Sequence, residues 1–319
     1  MLNNLTQINW YYLIVGEHGT GKTTLVQTTI LNLQVPKGVV HFECPSNAKE
    51  FAINLAKHLN CELYPHNLRD IIVQSTTNAA RRGQEDHSEY SSFNILRMQL
   101  RKAAKYYQEK YGRPMVLILD QVDRIAKKDH EFFGMLQDFA KDCADGGYLV
   151  IIFIASEGLV PQMMKSRSAW SRAMIPFEVG DISDEDAVKF LQNSGVDQKN
   201  AEVSVKYLAG GRFTLLTELR ALNQVNSKNL FEEFKKRLFS QIKMNLRMVE
   251  IPKNHEFFIK LIEVGRIDIE QAETIIPISM IHKLVEINIL KEHQDDTVSF
   301  HSRCVETYFK EVILSNAAI

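Results

Sequence analysis

A short glycine-containing segment near the start of the chain has the residue types and spacing that bind phosphate groups. Residues 16–23 read GEHGTGKT, which fits the pattern G-x-x-x-x-G-K-[ST]. Glycine lets backbone N–H groups turn inward around phosphate oxygens, because no Cβ atom obstructs them. A helix beginning at Lys22 would add unpaired N–H donors and the positive end of its dipole. The residues expected to bind the nucleotide are Gly16, Glu17, His18, Gly19, Thr20, Gly21, Lys22, Thr23 and Thr24.

Two of these side chains, together with one acid further along the chain, are expected to bind a triphosphate with Mg²⁺. The Lys22 ammonium group would attract the β- and γ-phosphates, and the Thr23 hydroxyl would coordinate Mg²⁺. Asp120 directly follows the apolar run 115–119. It therefore stands at the carboxyl end of a predicted parallel strand, where ligands bind in such sheets. We predict Thr23 and Asp120 as the metal site, with Asp120 acting through a water molecule.

The residues that follow Asp120 bear on hydrolysis of the nucleotide. The next residue is Gln121, whose amide can orient a water molecule but cannot accept its proton. Asp123 is the predicted substitute base. Ser156 follows the apolar run 148–155 and is predicted to contact the γ-phosphate or the attacking water, the alternative being a simple loop cap. Glu157 is a further candidate base, and the expected turnover is slow or dependent on a partner.

The strands and helices that would position these residues follow from the spacing of apolar residues. Apolar runs at 11–15, 115–119 and 148–155, with further strands predicted at 39–43 and 173–177, alternate with segments of helical periodicity. This alternation predicts an α/β fold with a parallel sheet covered by helices on both faces. Beyond about residue 180 helices predominate, and residues 278–301 predict a helix followed by a β-hairpin. We predict a nucleotide-binding domain at 1–180, a helical lid at 181–250 and a winged helix at 251–319.

Three local features refine this prediction. The helix after the phosphate-binding segment is predicted over residues 22–34, with Leu25 among its inward side chains. Ser46 is the predicted cap of a helix that runs to residue 58. Ser183 and Asp186 form a capping box that opens the first helix of the lid.

The motifs resemble those of the AAA+ and STAND ATPases, especially the initiator-like and archaeal-type branch. The resemblance rests on the phosphate-binding segment, on LILDQVD at residues 117–123 and on Ser156, and it continues through the segment 166–172 to Gly210-Gly211-Arg212. It implies a five-stranded P-loop core with the phosphate-loop strand in the middle, a helical lid and a terminal winged helix. It also implies ATP rather than GTP, and the guanine-reading pattern N-K-x-D is absent.

The resemblance also implies that arginine residues contact the phosphates of the nucleotide. Arg212 matches an arginine that the lid of these proteins places near the phosphates. Arg172, or else Arg167, matches an arginine finger or an in-chain sensor. A surface salt bridge is the alternative for each of them.

Two functions from different classes fit these features. In the first, a regulatory switch, ATP and ADP states alter the lid and the winged helix and thereby change contacts with a protein partner or another copy. The second is a nucleic-acid-associated ATPase of the initiator or loader type. The predicted recognition helix, residues 277–287, has no Arg or Asn for bidentate base contacts, and the turn at 294–296 is acidic. Partner contact is therefore favoured over DNA reading, and a small-molecule kinase would leave both later domains without a role.

Composition excludes several other classes of protein. The 319 residues are 45% hydrophobic and 24% charged, and the net charge is −1, so no field of one sign covers the molecule. No apolar run approaches the roughly 20 residues that span a bilayer. Residues 1–10 lack a basic segment followed by an apolar one, so we expect no signal peptide and an intracellular, soluble protein. The cysteines form no C-x-x-C pair and are expected to be free thiols: Cys44, Cys61, Cys143 and Cys304.

Overall fold

The computed structural model describes residues 9–35, 37–61, 63, 90–156, 159–225, 229–249, 256–293 and 295–317. Contacts divide the chain into two compact units. The first comprises Met1–Glu17 and Lys22–Val179, and the second comprises His18–Gly21 and Gly180–Ile319. The division into three domains stays a prediction. Glu157, and most of the loop expected at 76–92, lie outside the described residues.

A five-stranded parallel sheet forms the centre of the first unit and confirms the predicted α/β P-loop fold. The strand order is β2-β3-β4-β1-β5, so the phosphate-loop strand β1 is not in the middle as expected. The middle strand is β4, whose seven residues are all apolar and all buried, as a strand covered on both faces requires. The strands are β1 (Tyr12–Val15), β2 (Val39–Glu43), β3 (Met115–Asp120), β4 (Leu149–Ala155) and β5 (Phe177–Glu178).

Alternate residues of the strands point to opposite faces of this sheet and form two apolar clusters. On one face, Ile118 and Ile152 lie in a cluster with Val26 of the first helix. On the other face, Leu119 and Phe153 belong to a larger cluster that includes the buried sides of five helices. The predicted fifth strand is shorter than residues 173–177, because only an isolated bridge joins Tyr11 to Ala173 before β5 begins.

The helices of the first unit begin and end where local sequence provides caps. Asn47, not the predicted Ser46, caps α2, and its side chain accepts a hydrogen bond of 2.8 Å from the N–H of Glu50. Both α3 and α5 end at a glycine with φ of 66°, a left-handed conformation that glycine adopts without strain. The helices are α1 (Lys22–Leu31), α2 (Ala48–His58), α3 (Ser91–Tyr111), α4 (Asp123–Ala126), α5 (His130–Gly146) and α6 (Leu159–Lys165), and a 3₁₀ helix covers Ser168–Arg172.

The orientation of α1 agrees with the prediction at Ile30, which was also expected to face inward and packs against the sheet, but differs from it at Leu25. The helix ends at Leu31 rather than at residue 34, and Leu25 is 45% exposed. Val26 is the residue of α1 that is buried against the sheet. Since each residue of an α-helix advances about 100° around the axis, an error of one residue in the phase turns the predicted inward side chain toward solvent. The phase is set by the loop that joins β1 to α1, which apolar spacing does not reveal.

The second unit is mainly helical, and its apolar cluster extends from Ala187 to Phe309. The Ser183 hydroxyl accepts a 3.1 Å hydrogen bond from the N–H of Asp186, which confirms the predicted helix start. The helices are α7 (Asp184–Asn193), α8 (Gln198–Ser204), which continues as a π-helix at Val205–Ala209, α9 (Phe213–Val225), α10 (Leu230–Leu246), α11 (Glu256–Val264), α12 (Ile269–Glu273), α13 (Ile278–Glu286) and α14 (Arg303–Ala317).

A small antiparallel sheet accompanies the last helices of this unit. It has the order β6-β8-β7, with β6 at Arg266–Asp268, β7 at Leu290–Glu292 and β8 at Thr297–Phe300. The hairpin of β7 and β8 was expected, whereas β6 was not, because three residues are too few to show a strand pattern. Among the helices that the structure describes, none has the length and apolar character needed to cross a bilayer. All four cysteines are free thiols.

Candidate nucleotide-binding site

The phosphate-binding segment connects the end of β1 to the start of α1, as the motif requires. Gly19 and Gly21 have φ of 87° and 95°, in the left-handed region that residues with a Cβ atom rarely adopt. A Cβ atom added at Gly19 would lie 2.2 Å from the Thr214 Oγ1 atom. Both the backbone conformation and the close neighbour therefore require glycine at position 19.

The Lys22 side chain is directed back over this segment. Its Nζ donates hydrogen bonds to the carbonyl oxygens of Gly16, at 2.5 Å, and Glu17, at 2.8 Å. These two bonds hold the ammonium group beside the turn without any contribution from a bound phosphate. Glu17 and Thr20 of the same segment are buried.

Asp120, the acid at the end of β3, lies against the first turn of α1. The Thr23 hydroxyl donates to Asp120 Oδ2 over 2.8 Å, which joins residues 97 positions apart in sequence. Asp120 is only 2% exposed. Burial raises the pKa of its carboxyl group, but hydrogen bonds from His41 and Thr23 outweigh that effect and keep the pKa below its ordinary value. The carboxylate therefore stays ionised, and two hard oxygen groups of the kind Mg²⁺ prefers stand side by side.

His41 also contacts Asp120, and sequence reasoning missed it. Its Nε2 atom lies 3.1 Å from Asp120 Oδ2. A signal was present, since His41 is the one ionisable side chain inside the otherwise apolar run 39–42 of a predicted strand. Recognising its role also required knowing that β2 pairs with β3, which apolar spacing alone does not give.

Gln121 and Asp123 follow Asp120 in a sharp turn. Gln121 has φ of 59°, uncommon for a residue other than glycine, and its N–H donates to Asp120 Oδ1 over 2.8 Å. Asp123 Oδ2 accepts a 2.8 Å hydrogen bond from the N–H of Ser156. The contact of Ser156 with the γ-phosphate or the attacking water stays a prediction. Burial raises the pKa of Asp123 above its ordinary value, and the nearby charge of Lys22 lowers it by less. A carboxyl group in these surroundings is suited to accept a proton.

Arg212 is a buried cation of the second unit and is 6% exposed. Its Nε donates to Asp181 Oδ1 over 2.6 Å. Its terminal nitrogens donate to the carbonyl oxygens of His18 and His301, each at 3.3 Å. His18 belongs to the phosphate-binding segment, so Arg212 is bonded to the backbone of that segment. Its contact with the phosphates stays a prediction.

Arg172 and Arg167 lie elsewhere in the first unit. Arg172 pairs with Asp145, and Arg167 donates to Asp138 over 2.8 Å. The N–H of Tyr11 donates to the carbonyl oxygen of Arg172, which places Arg172 beside the start of β1. The phosphate-binding segment follows the other end of that strand, about 13 Å away at roughly 3.3 Å per residue. The structure therefore does not bring Arg172 to the phosphate-binding segment of its own chain.

The structure thus brings together Lys22, Thr23 and Asp120, with Gln121, Asp123 and Ser156 next to them along the carboxyl edge of the sheet. Their chemistry fits a triphosphate with a divalent metal ion. The Lys22 ammonium group can neutralise phosphate charge, and the Thr23 hydroxyl beside the ionised Asp120 carboxylate can hold the metal. Roles of the individual residues in binding and hydrolysis stay predictions.

Comparisons with known proteins agree with this fold. Residues 11–163 match a family model described as an AAA domain. The chain is similar to the structure of a Walker-type ATPase of Pyrococcus abyssi, with a TM-score of 0.62 and 15% identity over 97% of this chain and 92% of that one. At this identity the likeness shows the fold alone, the α/β fold of a P-loop NTPase.

More distant likenesses were also found among solved structures. Cdc6p from Pyrobaculum aerophilum gives a TM-score of 0.49 at 12% identity, covering 96% of this chain and 88% of that one. The ORC1 protein of Aeropyrum pernix, solved in complex with DNA, gives 0.48 at 12% identity, covering 97% and 88%. No curated protein sequence matched the chain.

Proposed function

We propose that the AAA domain at residues 11–163 binds ATP with Mg²⁺ and hydrolyses it slowly. One observation carries this proposal: the 2.8 Å hydrogen bond between Thr23 Oγ1 and Asp120 Oδ2. It joins the phosphate-binding segment to the acid of β3, so that a hydroxyl and a carboxylate suited to a metal stand side by side at the end of the sheet. Lys22, bonded to the carbonyl oxygens of the same segment, supports the proposal.

Each residue has a distinct proposed role. Backbone N–H groups of residues 16–24 and the Lys22 ammonium group hold the triphosphate, and Thr23 and Asp120 hold the metal. Bound Mg²⁺ would neutralise charge on the β- and γ-phosphate oxygens. Asp123 accepts the proton of the attacking water, and Gln121 orients that water. Arg212, bonded to the His18 carbonyl, is a further proposed contact to the phosphates, the role that the resemblance implies for it.

The hydroxyl at position 23 gives a direct test of the metal site. We expect Thr23→Ala to weaken Mg²⁺-dependent ATP binding by at least about tenfold, since loss of even an outer-shell partner of a metal costs about 10–100-fold. The matched variant Thr23→Ser keeps the hydroxyl and should bind as the unmodified protein does. Binding of a fluorescent ATP analogue, measured with Mg²⁺ and again with EDTA, separates the metal-dependent part. Equal behaviour of the two variants with Mg²⁺ would contradict the site, and competition by GTP tests the proposed preference for adenine.

The second unit supports the proposed lid and winged helix. Helices α7–α10 follow the sheet, and the order α11, β6, α12, α13, β7, β8 is that of a winged helix. In the switch hypothesis, ATP and ADP states alter this unit and its contacts with a partner. Slow turnover and tightly retained ADP are then expected, and denaturing the purified protein would release that ADP for identification. Arg172 lies far from the phosphate-binding segment of its own chain. In the proposed self-assembly it would instead contact the nucleotide bound by another copy of the chain.

A second candidate function, a nucleic-acid-associated ATPase, is favoured by the composition of α3. Five basic residues and one acidic residue, Glu109, lie within Ser91–Tyr111. Tyr106 and Tyr111 are exposed, and the Lys110 ammonium lies within 6 Å of both ring centres, at 5.8 Å and 5.4 Å. Positive charge next to exposed aromatic rings suits a single strand, whose bases stack while its phosphates are neutralised. The basic residues are Arg97, Arg101, Lys102, Lys105 and Lys110.

The winged-helix candidate is less suited to this contact. Its exposed helix α13 offers Lys283 beside Glu286, and Asp295 of the turn after β7 is paired with Arg266 over 2.6 Å. We therefore place the proposed nucleic-acid contact on α3 and not on α13.

Turnover with and without single-stranded DNA separates the two functions. If the chain acts on nucleic acid, DNA should stimulate ATP hydrolysis, and the double variant Lys102→Glu, Lys110→Glu should reduce both the stimulation and the salt dependence of binding. The logarithmic salt slope is expected to fall by about 0.7 for each phosphate that the variant no longer neutralises. Lys283→Glu on α13 is the matched control and should change neither. No DNA binding at low salt, together with retained ADP, would instead support the switch.

A further inference from the structure

His41 occupies a position in the sheet that directs it toward the metal site. Strands β2 and β3 are parallel and pair His41 with Ile118 and Glu43 with Asp120. Paired residues of adjacent strands share a face, and so do residues two apart in one strand. His41 and Asp120 therefore lie on the same face of the sheet, the one that carries α1. Their contact follows from the register of the strands and is independent of loop geometry.

The Asp120 carboxylate is held from three directions. Oδ2 accepts from Thr23 Oγ1 at 2.8 Å and lies 3.1 Å from His41 Nε2, while Oδ1 accepts from the Gln121 N–H at 2.8 Å. The Gln121 bond comes from the adjacent residue and fixes only one oxygen. Thr23 belongs to α1, so its bond depends on the position of that helix. Among the donors to Oδ2, His41 is the one supplied by the sheet itself.

We propose that His41 is a positioning residue, which fixes the orientation of the Asp120 carboxylate and thereby strengthens metal binding at Thr23 and Asp120. The inference rests on the proposed nucleotide site. His41 is only 20% exposed, so its imidazole ring is confined and its donor is directed at a single acceptor. Outer-shell hydrogen bonds of this kind orient metal ligands, and their loss costs metal affinity.

A pair of variants distinguishes this role from simple packing. His41→Leu fills similar space without a donor, and His41→Gln retains an N–H donor at a comparable reach. We expect His41→Leu to weaken Mn²⁺ binding to the complex with a non-hydrolysable ATP analogue by about 10–100-fold. Its affinity for the analogue in EDTA should be unchanged. His41→Gln should recover most of the lost Mn²⁺ affinity. Free Mn²⁺ measured by electron paramagnetic resonance gives these affinities without relying on turnover.

Three results would overturn the inference: unchanged Mn²⁺ affinity in His41→Leu, equal losses in the Leu and Gln variants, or an equal loss of analogue affinity in EDTA. The last two would assign His41 a packing role, and thermal melting of both variants checks that the fold is retained. Thr23→Ala in the same assay serves as the reference. If it leaves Mn²⁺ affinity unchanged, the metal site itself is wrong, whereas a loss in Thr23→Ala with none in His41→Leu refutes the role of His41 alone.

Discussion

Replacing Asp123 with asparagine is expected to lower the turnover number for ATP by about 10²–10⁴-fold, the range over which a general base contributes. The amide is nearly isosteric, and its oxygen can still accept the Ser156 N–H, but it cannot take a proton from water. Affinity for ATP should change little, because the proposed phosphate and metal contacts are made by residues 16–24 and Asp120 and not by Asp123. Single-turnover measurements at saturating ATP isolate the chemical step.

The dependence of this step on pH follows from the surroundings of Asp123. A base must be deprotonated to act, and burial raises the pKa of this carboxyl group above its ordinary value. Activity should therefore fall, as pH is lowered, at a higher pH than an exposed aspartate would produce. A profile of turnover rate against pH measures the pH at which this loss of activity occurs.

Two further variants make the test specific. Asp142→Asn alters an exposed carboxylate of α5 and should leave turnover unchanged. Gln121→Glu places a carboxylate directly after Asp120. Unchanged turnover in Asp123→Asn, combined with a gain of tenfold or more in Gln121→Glu, would show that position 121 limits hydrolysis and that Asp123 is not the base.

Replacing Lys22 with alanine is expected to weaken ATP binding by about 100-fold, because each hydrogen bond to a charged group contributes about 1.5–3 kcal/mol. The effect should be large because the bonds to the carbonyl oxygens of Gly16 and Glu17 already hold the ammonium group in place, so little ordering accompanies ATP binding. Calorimetric titration with a non-hydrolysable analogue gives the dissociation constants.

The matched control for Lys22→Ala removes the same charge from an exposed position. Lys49 lies in the first turn of α2 and is exposed, so Lys49→Ala should bind ATP as the unmodified protein does. Because Lys22→Ala leaves two carbonyl groups without this donor, thermal melting should accompany the titration. A folded Lys22→Ala variant that binds within about threefold of the unmodified protein would contradict the proposed site.

The regular elements of the first unit were largely predictable from sequence. Strands such as β3 and β4 are continuous apolar runs, a pattern that distinguishes a sheet covered on both faces. The inward position of Leu25 in α1 and the cap of α2 were predicted wrongly, each by one residue, because both depend on the conformation of the preceding loop. The resemblance implied β1 in the middle of the sheet, and this was wrong, because β4 holds that place. Apolar spacing could not correct it, since it carries no information about which strands are neighbours.

The phosphate-binding segment, with which the site begins, could be recognised from the order of its residues. Residues 16–24 are contiguous, and their glycines, lysine and threonine need only a strand before them and a helix after them to form the turn. The groups that face this turn could be identified only from the folded chain. Folding joins His41 and Thr23 to Asp120 across 79 and 97 residues and leaves Arg172 at the start of β1. Strand register and order set these distances, and both arise from packing of the whole sheet and not from any one segment of the chain.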